Sequence, residues 1–421
     1  FNSGKFPFNS LENALQKSFV DSIKPYTLYF HKTSGDNKNL FNHPLYSIAG
    51  ANYRIKDDQG NPVNFIVGYE TVSDTNNYKK PILASTQDHP FVTNTDGNLT
   101  FSFSYNGDST NVTDYYSNVQ ITGNTYTVTF TKDSPLQLFY GKYYICEENP
   151  PKGYRIDTAC EKSGHEVIIH PEQSLYELIC TDEPLYAPVH LNLQKNDAET
   201  KSDTPLGAGT LSNAVFCFEY YDSYFEKEAD IPLNPTRKWF LSTNKEGKID
   251  FQNAECDNNY ASDDFYYYNK QRSIPLGTIV IREIVPPTGY LNIEEGGFTY
   301  INGQAFQKNQ PIIMELKWDA SDNQIKIAFN QQTLSSKDKI TIDVFDQVQR
   351  GDLAFLKSDY QTGKPMAHIA FILTSKTTGE SHIIVTDDNG YATTKSGSIQ
   401  TVNQNTYKQL HTKDTNKNDI Y

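Results

Sequence analysis

The sequence predicts an all-β protein built from tandem β-sandwich domains, and three features lead there. Apolar and polar residues alternate with period two through most segments, with Val, Ile, Thr, Tyr and Phe prominent. Between them lie clusters of Asp, Asn and Gly, as in DDQGN (57–61), NTDGN (94–98), NKEGK (244–248) and DDNGY (387–391), which is the chemistry of tight turns. The third feature is a repeat: the same ordered markers return after about 160 residues.

Each repeat opens on an alternating strand that ends in lysine: Leu28, Phe30, Lys32, then Leu191, Leu193, Lys195, then Leu353, Phe355, Lys357. The lysines stand 163 and 162 residues apart. A second strand follows, at Ala51-Tyr53-Ile55, Ala214-Phe216-Phe218 and Ile369-Phe371-Leu373. Next comes a turn of the form T-x-x-x-G, at Thr93–Gly97, Thr243–Gly247 and Thr386–Gly390. GKYYICEENPPKGY (141–154) and GTIVIREIVPPTGY (277–290) share a glycine, an alternating strand, a glutamate six residues on and P-P-x-G-Y. Each complete repeat closes on a strand ending in aspartate, at Asp182 and Asp346, 164 residues apart.

These markers divide the chain into units at 24–185, 186–348 and 349–421, the third stopping before its glutamate and aspartate, with 1–23 as a leader or the tail of something upstream. The 44 residues between Gly97 and Gly141, against 30 between Gly247 and Gly277, predict an extra hairpin in the first unit. The one expected helix is LENALQKSFVDSI (11–23), which Pro25 would end. The chain starts at Phe1 and ends at Tyr421 without a sorting sequence, so it reads as a piece of something longer.

Composition narrows the function classes. Aromatic residues make up 13% of the 421, too many for a disordered polymer or a coiled coil. The net charge of −14 and the lack of any basic run argue against nucleic acid or an anionic lipid surface as partner. No stretch approaches 18 consecutive apolar residues, so no membrane span is expected. No G-x-S-x-G elbow or phosphate-binding loop occurs, and GHEVIIH (164–170) spaces its histidines by five rather than four, which predicts a strand rather than a metalloprotease helix. The five cysteines include no C-x-x-C pair, so no structural zinc site, metal or cofactor is expected. Cys146 with Cys160 and Cys217 with Cys256 are candidates for bridges, the alternative being unpaired thiols, and Cys180 is expected inward and free.

Strand parity turns the repeat into chemistry. Residues of equal parity share one face of a strand. Lys32 therefore lies with Leu28 and Phe30, Glu147 with Tyr143 and Ile145, and Asp182 with Leu178 and Cys180. Lys195, Glu283 and Asp346 repeat the pattern in the second unit. The bland reading of any one lysine is that the inward phase fails at the strand end and the amine reaches water. Two sets of three buried ionisable groups must instead pair, lose charge or react.

Apolar surroundings favour neutral amine and neutral carboxylic acid. A neutral amine held against a carboxyl carbon is a nucleophile, and fixed proximity is worth effective molarities of roughly 10⁵–10⁸ M. With a glutamate to shuttle the proton, the product is a side-chain amide and one water, with no cofactor and one turnover. Such a link would tie the first strand to the last across 150 residues, contributing about 5 kcal/mol in the chain-entropy model.

The markers resemble the Cna B-type, or SpaA-type pilin, repeat of Gram-positive surface proteins, a prealbumin-like (Ig-like) sandwich. The resemblance runs from about residue 24 onward and rests on L-x-F-x-K opening a unit, as L-x-L-x-K in the second, and on E-x-x-P-P-x-G-Y in two of them. It implies a seven-strand sandwich and an isopeptide between Lys32 and Asp182, with Glu147 as catalyst, and between Lys195 and Asp346, with Glu283. Lys357 would be the nucleophile of the third unit. The family's acceptor is often Asn, whereas both acceptors here are Asp. Glu148 and Glu183, of opposite parity, are expected to face solvent.

The expected function is a non-enzymatic adhesin or pilin-like stalk segment, extracellular and anchored to the cell wall outside this sequence, with a host or matrix protein or a glycan as unknown partner. The alternative is a carbohydrate-binding or accessory module of a secreted glycan-active protein, for which DDFYYYNK (263–270) and YYDSYF (220–225) would supply an aromatic platform.

Overall fold

The computed structural model describes residues 25–394 apart from 41, 74–77, 88, 161–162, 171–172, 174, 307–310, 320, 322–323, 330–331, 336–337 and 377–380, together with the backbone of short strands between 399 and 420. The expected helix over 11–23 lies outside the described residues. The chain forms two compact units, Phe1–Pro184 and Leu185–Tyr421. Among the described residues no helix is long and apolar enough to cross a membrane.

The first unit is built from β1 (Tyr26–Ser34), β2 (Asn52–Asp57), β3 (Gly141–Asn149), β4 (His165–Ile169), β5 (Leu175–Asp182) and further strands. One sheet has five strands in the order β5, β1, 136–138, 64–72, 78–85. The other has seven, in the order β4, β3, β2, 91–93, 99–104, 125–129, 119–122. Alternation explains the layering: Leu28 and Phe30 from one sheet and Tyr53, Ile55, Phe91 and Ile145 from the other enter a single core with at most 2% exposure. Phe65 packs its ring 5.0 Å from Phe91 and 4.8 Å from Phe101. The extra hairpin expected between Gly97 and Gly141 is 119–122 paired with 125–129.

The second unit repeats the plan with β6 (Leu191–Asp197), β7 (Val215–Tyr221), β8 (Gly277–Val285) and β9 (Ile340–Asp346). A five-stranded sheet holds 248–250, β6, β9, 298–301 and 304–305, and a six-stranded sheet holds 237–242, β7, β8, 312–319, 324–329 and 332–335. Both units thus exceed the seven strands implied by the resemblance, because hairpins and a meander lengthen the sheets beyond the strands that bear the repeat markers.

In each unit the first and last marker strands run parallel and adjacent. Lys32 lies opposite Cys180 and Ser34 opposite Asp182, while Lys195 lies opposite Val344 and Asp197 opposite Asp346. The register is the same, so each lysine faces the residue two before its aspartate. Beyond 348, β10 (Ala354–Leu356) pairs with β11 (Tyr391–Thr393), and 370–374 pairs with 381–385. Leu353, Leu356, Ile372 and Tyr391 there are exposed.

Candidate functional site

The turn clusters form as expected, and they place the lysines. In Asn94, Asn244 and Asp387 the side-chain Oδ1 accepts the backbone N–H groups two and four residues on, closing each turn. The threonine before the turn is buried in all three repeats, and its hydroxyl ties the start of the second marker strand. Thr93 donates to the Ile48 carbonyl at 2.6 Å and accepts from Ala51 N–H, Thr243 does the same with Leu211 and Ala214, and Thr386 with Met366 and Ile369.

Lys32, Glu147 and Asp182 meet between the two sheets of the first unit, each side chain wholly withdrawn from solvent. The Lys32 amine donates to Glu147 Oε1 at 2.8 Å and touches Asp182 Oδ1. Lys195, Glu283 and Asp346 meet in the same way in the second unit, with Nζ 2.5 Å from Glu283 Oε1 and in contact with Asp346 Oδ2. The bland reading, an amine escaping to water, does not describe either lysine.

One ammonium between two carboxylates leaves a surplus negative charge in a dry interior, and burial relieves it by favouring a retained proton. Burial pushes the Asp182 carboxyl up to about 7 against the pull of Lys32, with Glu147 adding to the rise. Asp346 is likewise pushed up to about 7 by burial, opposed by Lys195 and assisted by Glu283. A neutral acid is therefore within reach near neutral pH beside each amine.

Several parts of the site escaped sequence reasoning. Each glutamate is clamped through its second oxygen by the backbone N–H ten residues on: Asp157 N–H donates to Glu147 Oε2 at 2.7 Å and Ile293 N–H to Glu283 Oε2 at 3.0 Å. The strand ladder also slips by one residue directly after each glutamate, a bulge that ends the regular alternation there. Neither has a residue signature, because backbone supplies the contact. The third is Tyr53, whose hydroxyl accepts a hydrogen bond from the Lys32 amine. The matching position in the second unit is Phe216, with Lys195 Nζ 5.3 Å from its ring centre. Aligning the two marker strands would have found it, since Tyr53 shares inward parity with Ala51 and Ile55.

Lys357 stands apart from these constellations. Its amine donates to the Ser358 carbonyl at 3.5 Å, in an exposed setting. Glu148 and Glu183 face solvent as expected, Glu148 pairing with Arg54 at 2.7 Å.

The cysteines correct the bridging candidates: all five are free thiols. Cys146 donates to the Ser163 carbonyl, whereas Cys160 accepts from Glu147 N–H, so the two sulfurs serve different backbone groups. Cys256 lies opposite Leu241, which lies opposite Phe216; Cys217, one residue on, projects from the other face of β7. Cys180 is buried, as expected. GHEVIIH forms a strand over His165–Ile169. The aromatic segment 263–270 turns inward only in part: Tyr266 is buried against Tyr220, Phe265 and Tyr268 are half-buried and stack on Trp239 at 5.3 Å and on Tyr186, and Tyr267 is exposed.

No family model matches the chain, and no curated protein matches it. Among solved structures it is similar to the Bacillus anthracis TIE protein, at 14% identity and a TM-score of 0.42, over 88% of this chain and 43% of that one. The chain thus spans less than half the length of that protein. It is similar also to a streptococcal ancillary pilin, at 12% identity and a TM-score of 0.25, over 88% and 86% of the two chains. BcpA, the major pilin subunit of Bacillus cereus, aligns at 10% identity and a TM-score of 0.26, over 91% and 92%.

Proposed function

We propose that the chain is a segment of an extracellular stalk or adhesin of a Gram-positive cell surface, whose sandwich domains are closed by amides made from their own side chains. Lys32 joins Asp182 and Lys195 joins Asp346, with Glu147 and Glu283 moving the protons. The domains are those of the repeat, 24–185 and 186–348, with 349–421 opening a third whose nucleophile is Lys357. The reading includes covalent anchoring to the cell wall outside these residues and an unidentified partner, a host or matrix protein or a glycan.

One observation supports this reading above others: the same buried amine against the same two carboxyls, in the same register, in two units. In the reaction the neutral lysine nitrogen attacks the carboxyl carbon of the protonated aspartate. Glutamate takes the proton released from nitrogen and returns it to the departing hydroxyl, so one C–N bond forms, one C–O bond breaks and one water leaves. The water-free interior keeps the amide from hydrolysis. Each domain reacts once, which makes this a structural protein rather than an enzyme acting on external substrates. The glycan-module reading has less support, because Tyr266 is buried and Phe265 and Tyr268 are engaged in stacks on Trp239 and Tyr186.

Intact mass tests the proposal. The purified chain is expected two waters lighter than its sequence mass, Lys32→Ala and Lys195→Ala one water lighter each after allowing for the substitution, and the double variant none. A wild-type mass equal to the linear chain refutes the covalent mechanism.

A further inference from the structure

Beside the first triad lies a second cluster that the amide chemistry does not use. Asp157, in the loop after β3, His165, at the start of β4, and Cys180, on β5, bring one ligand atom each to within 4.8 Å of one another. His165 Nε2 and Asp157 Oδ2 are 2.6 Å apart. Asp157 Oδ1 is steadied by Ala159 N–H at 2.9 Å. Cys180 is fully buried, while the His165 side chain keeps 24% of its surface open.

We propose that these three side chains form a zinc site. An imidazole nitrogen, a thiolate and a carboxylate are the donor set of a borderline-soft divalent ion, and sulfur and nitrogen together disfavour calcium or magnesium. Tetrahedral donors about 2.0–2.3 Å from zinc stand about 3.3–3.8 Å apart, so an entering ion parts the Asp157 and His165 atoms by about 1 Å and draws the widest pair in by about as much. The open side of His165 admits the ion and leaves the fourth position to water. Binding exchanges the Cys180 S–H proton, which passes to solvent, for an S–Zn bond; no electrons move. Glu147 and Asp157, which remain carboxyls whether or not Lys32 and Asp182 condense, lie side by side here, so the local field favours a cation.

The absence of C-x-x-C spacing did not bear on this site, because its ligands come from three separate elements that only the fold assembles. His165 belongs to the seven-stranded sheet and Cys180 to the five-stranded one, so the ion would join the two sheets at the end where Lys32 meets Asp182. The second unit provides an internal control. The residue ten after its glutamate is Ile293, and the one two before its aspartate is Val344, neither a ligand. The proposal therefore calls for one ion per chain, not two, and does not depend on whether either amide forms.

The test is titration of the full, reduced chain with zinc against a chromophoric chelator, followed by cobalt as a spectroscopic substitute. One equivalent is expected, with a thiolate-to-cobalt charge-transfer absorption in the near ultraviolet. Cys180→Ser should abolish that absorption, His165→Gln should weaken zinc binding by about tenfold or more, and Cys256→Ser should change neither. The absorption in the wild-type chain decides the matter even where a variant fails to fold. No binding, cobalt binding without the thiolate band, or wild-type affinity in the His165 and Cys180 variants overturns the proposal.

Discussion

The backbone amide of Lys32 donates to the carbonyl of Gly97 at 2.7 Å, and the same bond joins Lys195 to Gly247 at 2.8 Å and Lys357 to Gly390 at 2.7 Å. The turn glycine thus fixes the height of the lysine along its strand. Gly97 holds φ at +77°, and a Cβ there would lie 2.1 Å from the Lys32 carbonyl oxygen. Gly207 also has positive φ, +62°, but a Cβ there meets nothing within 4 Å. Gly207→Ala should cost about 1–2 kcal/mol for the left-handed backbone alone. Gly97→Ala should cost distinctly more and delay closure of the first amide while the second forms normally, as followed by urea unfolding and intact mass. Equal costs at the two positions would deny the close approach any role.

The two units separate the catalyst from its helper. Glu147→Gln should leave the first unit unlinked and the chain one water heavier than wild type. Tyr53→Phe should still close, because the second unit has Phe216 in that place. Peptide mapping for the branched Lys32–Asp182 fragment reads both outcomes. Failure of Tyr53→Phe to close would promote the phenol from neighbour to necessary participant.

A chain carrying Lys195→Ala retains Asp346 as a titrating carboxyl. In the folded unit burial holds that carboxyl up to about 7 although Lys195 lowers it, so removing the lysine moves it higher still. Unfolded, it titrates near about 3.9. The folded state therefore binds this proton more tightly, and the resulting stability is full below about pH 4 and lost as pH rises through about 7 and above. Both tryptophans, Trp239 and Trp318, lie in the second unit, so their fluorescence reports it alone. The urea midpoint of the variant should fall from about pH 5 to about pH 8, more than in wild type, where the proposed amide would take Asp346 out of titration. A midpoint that climbs over this range contradicts the assigned environment.

Amine-reactive labelling should divide the three repeat lysines. Lys357, only half-buried, is expected to acylate more readily in the native chain than Lys32 and Lys195, which are buried. Labelling of Lys32 or Lys195 without unfolding would mean that the interior opens on the timescale of the reagent.

Much of this was legible in the sequence, for a physical reason. A two-residue period converts directly into faces, so the inward set Lys32, Glu147, Asp182 and its copy could be read from parity, and the spacing of the copies gave their order. What parity cannot reach is contact made by backbone or across loops. The N–H groups of Asp157 and Ile293 do the same work on unlike residues, so comparison of side chains passes over them. The grouping of Asp157, His165 and Cys180 depends on how a loop and strands of opposite sheets converge, which no local pattern records. The edge hairpins carry no repeat marker, and so the strand total fell short.

The parallel pairing of β1 with β5 has a mechanical corollary. A pull entering at Tyr26 and leaving beyond Asp182 slides the two strands along their common direction, so their ladder bonds are loaded in shear together rather than peeled in succession. With Lys32 joined to Asp182 near the far end of both strands, tension would cross from one strand to the other there. Everything between residues 33 and 181 would then sit off the load path, and a stalk of such units would stretch no further than its first strands and the junctions between units allow.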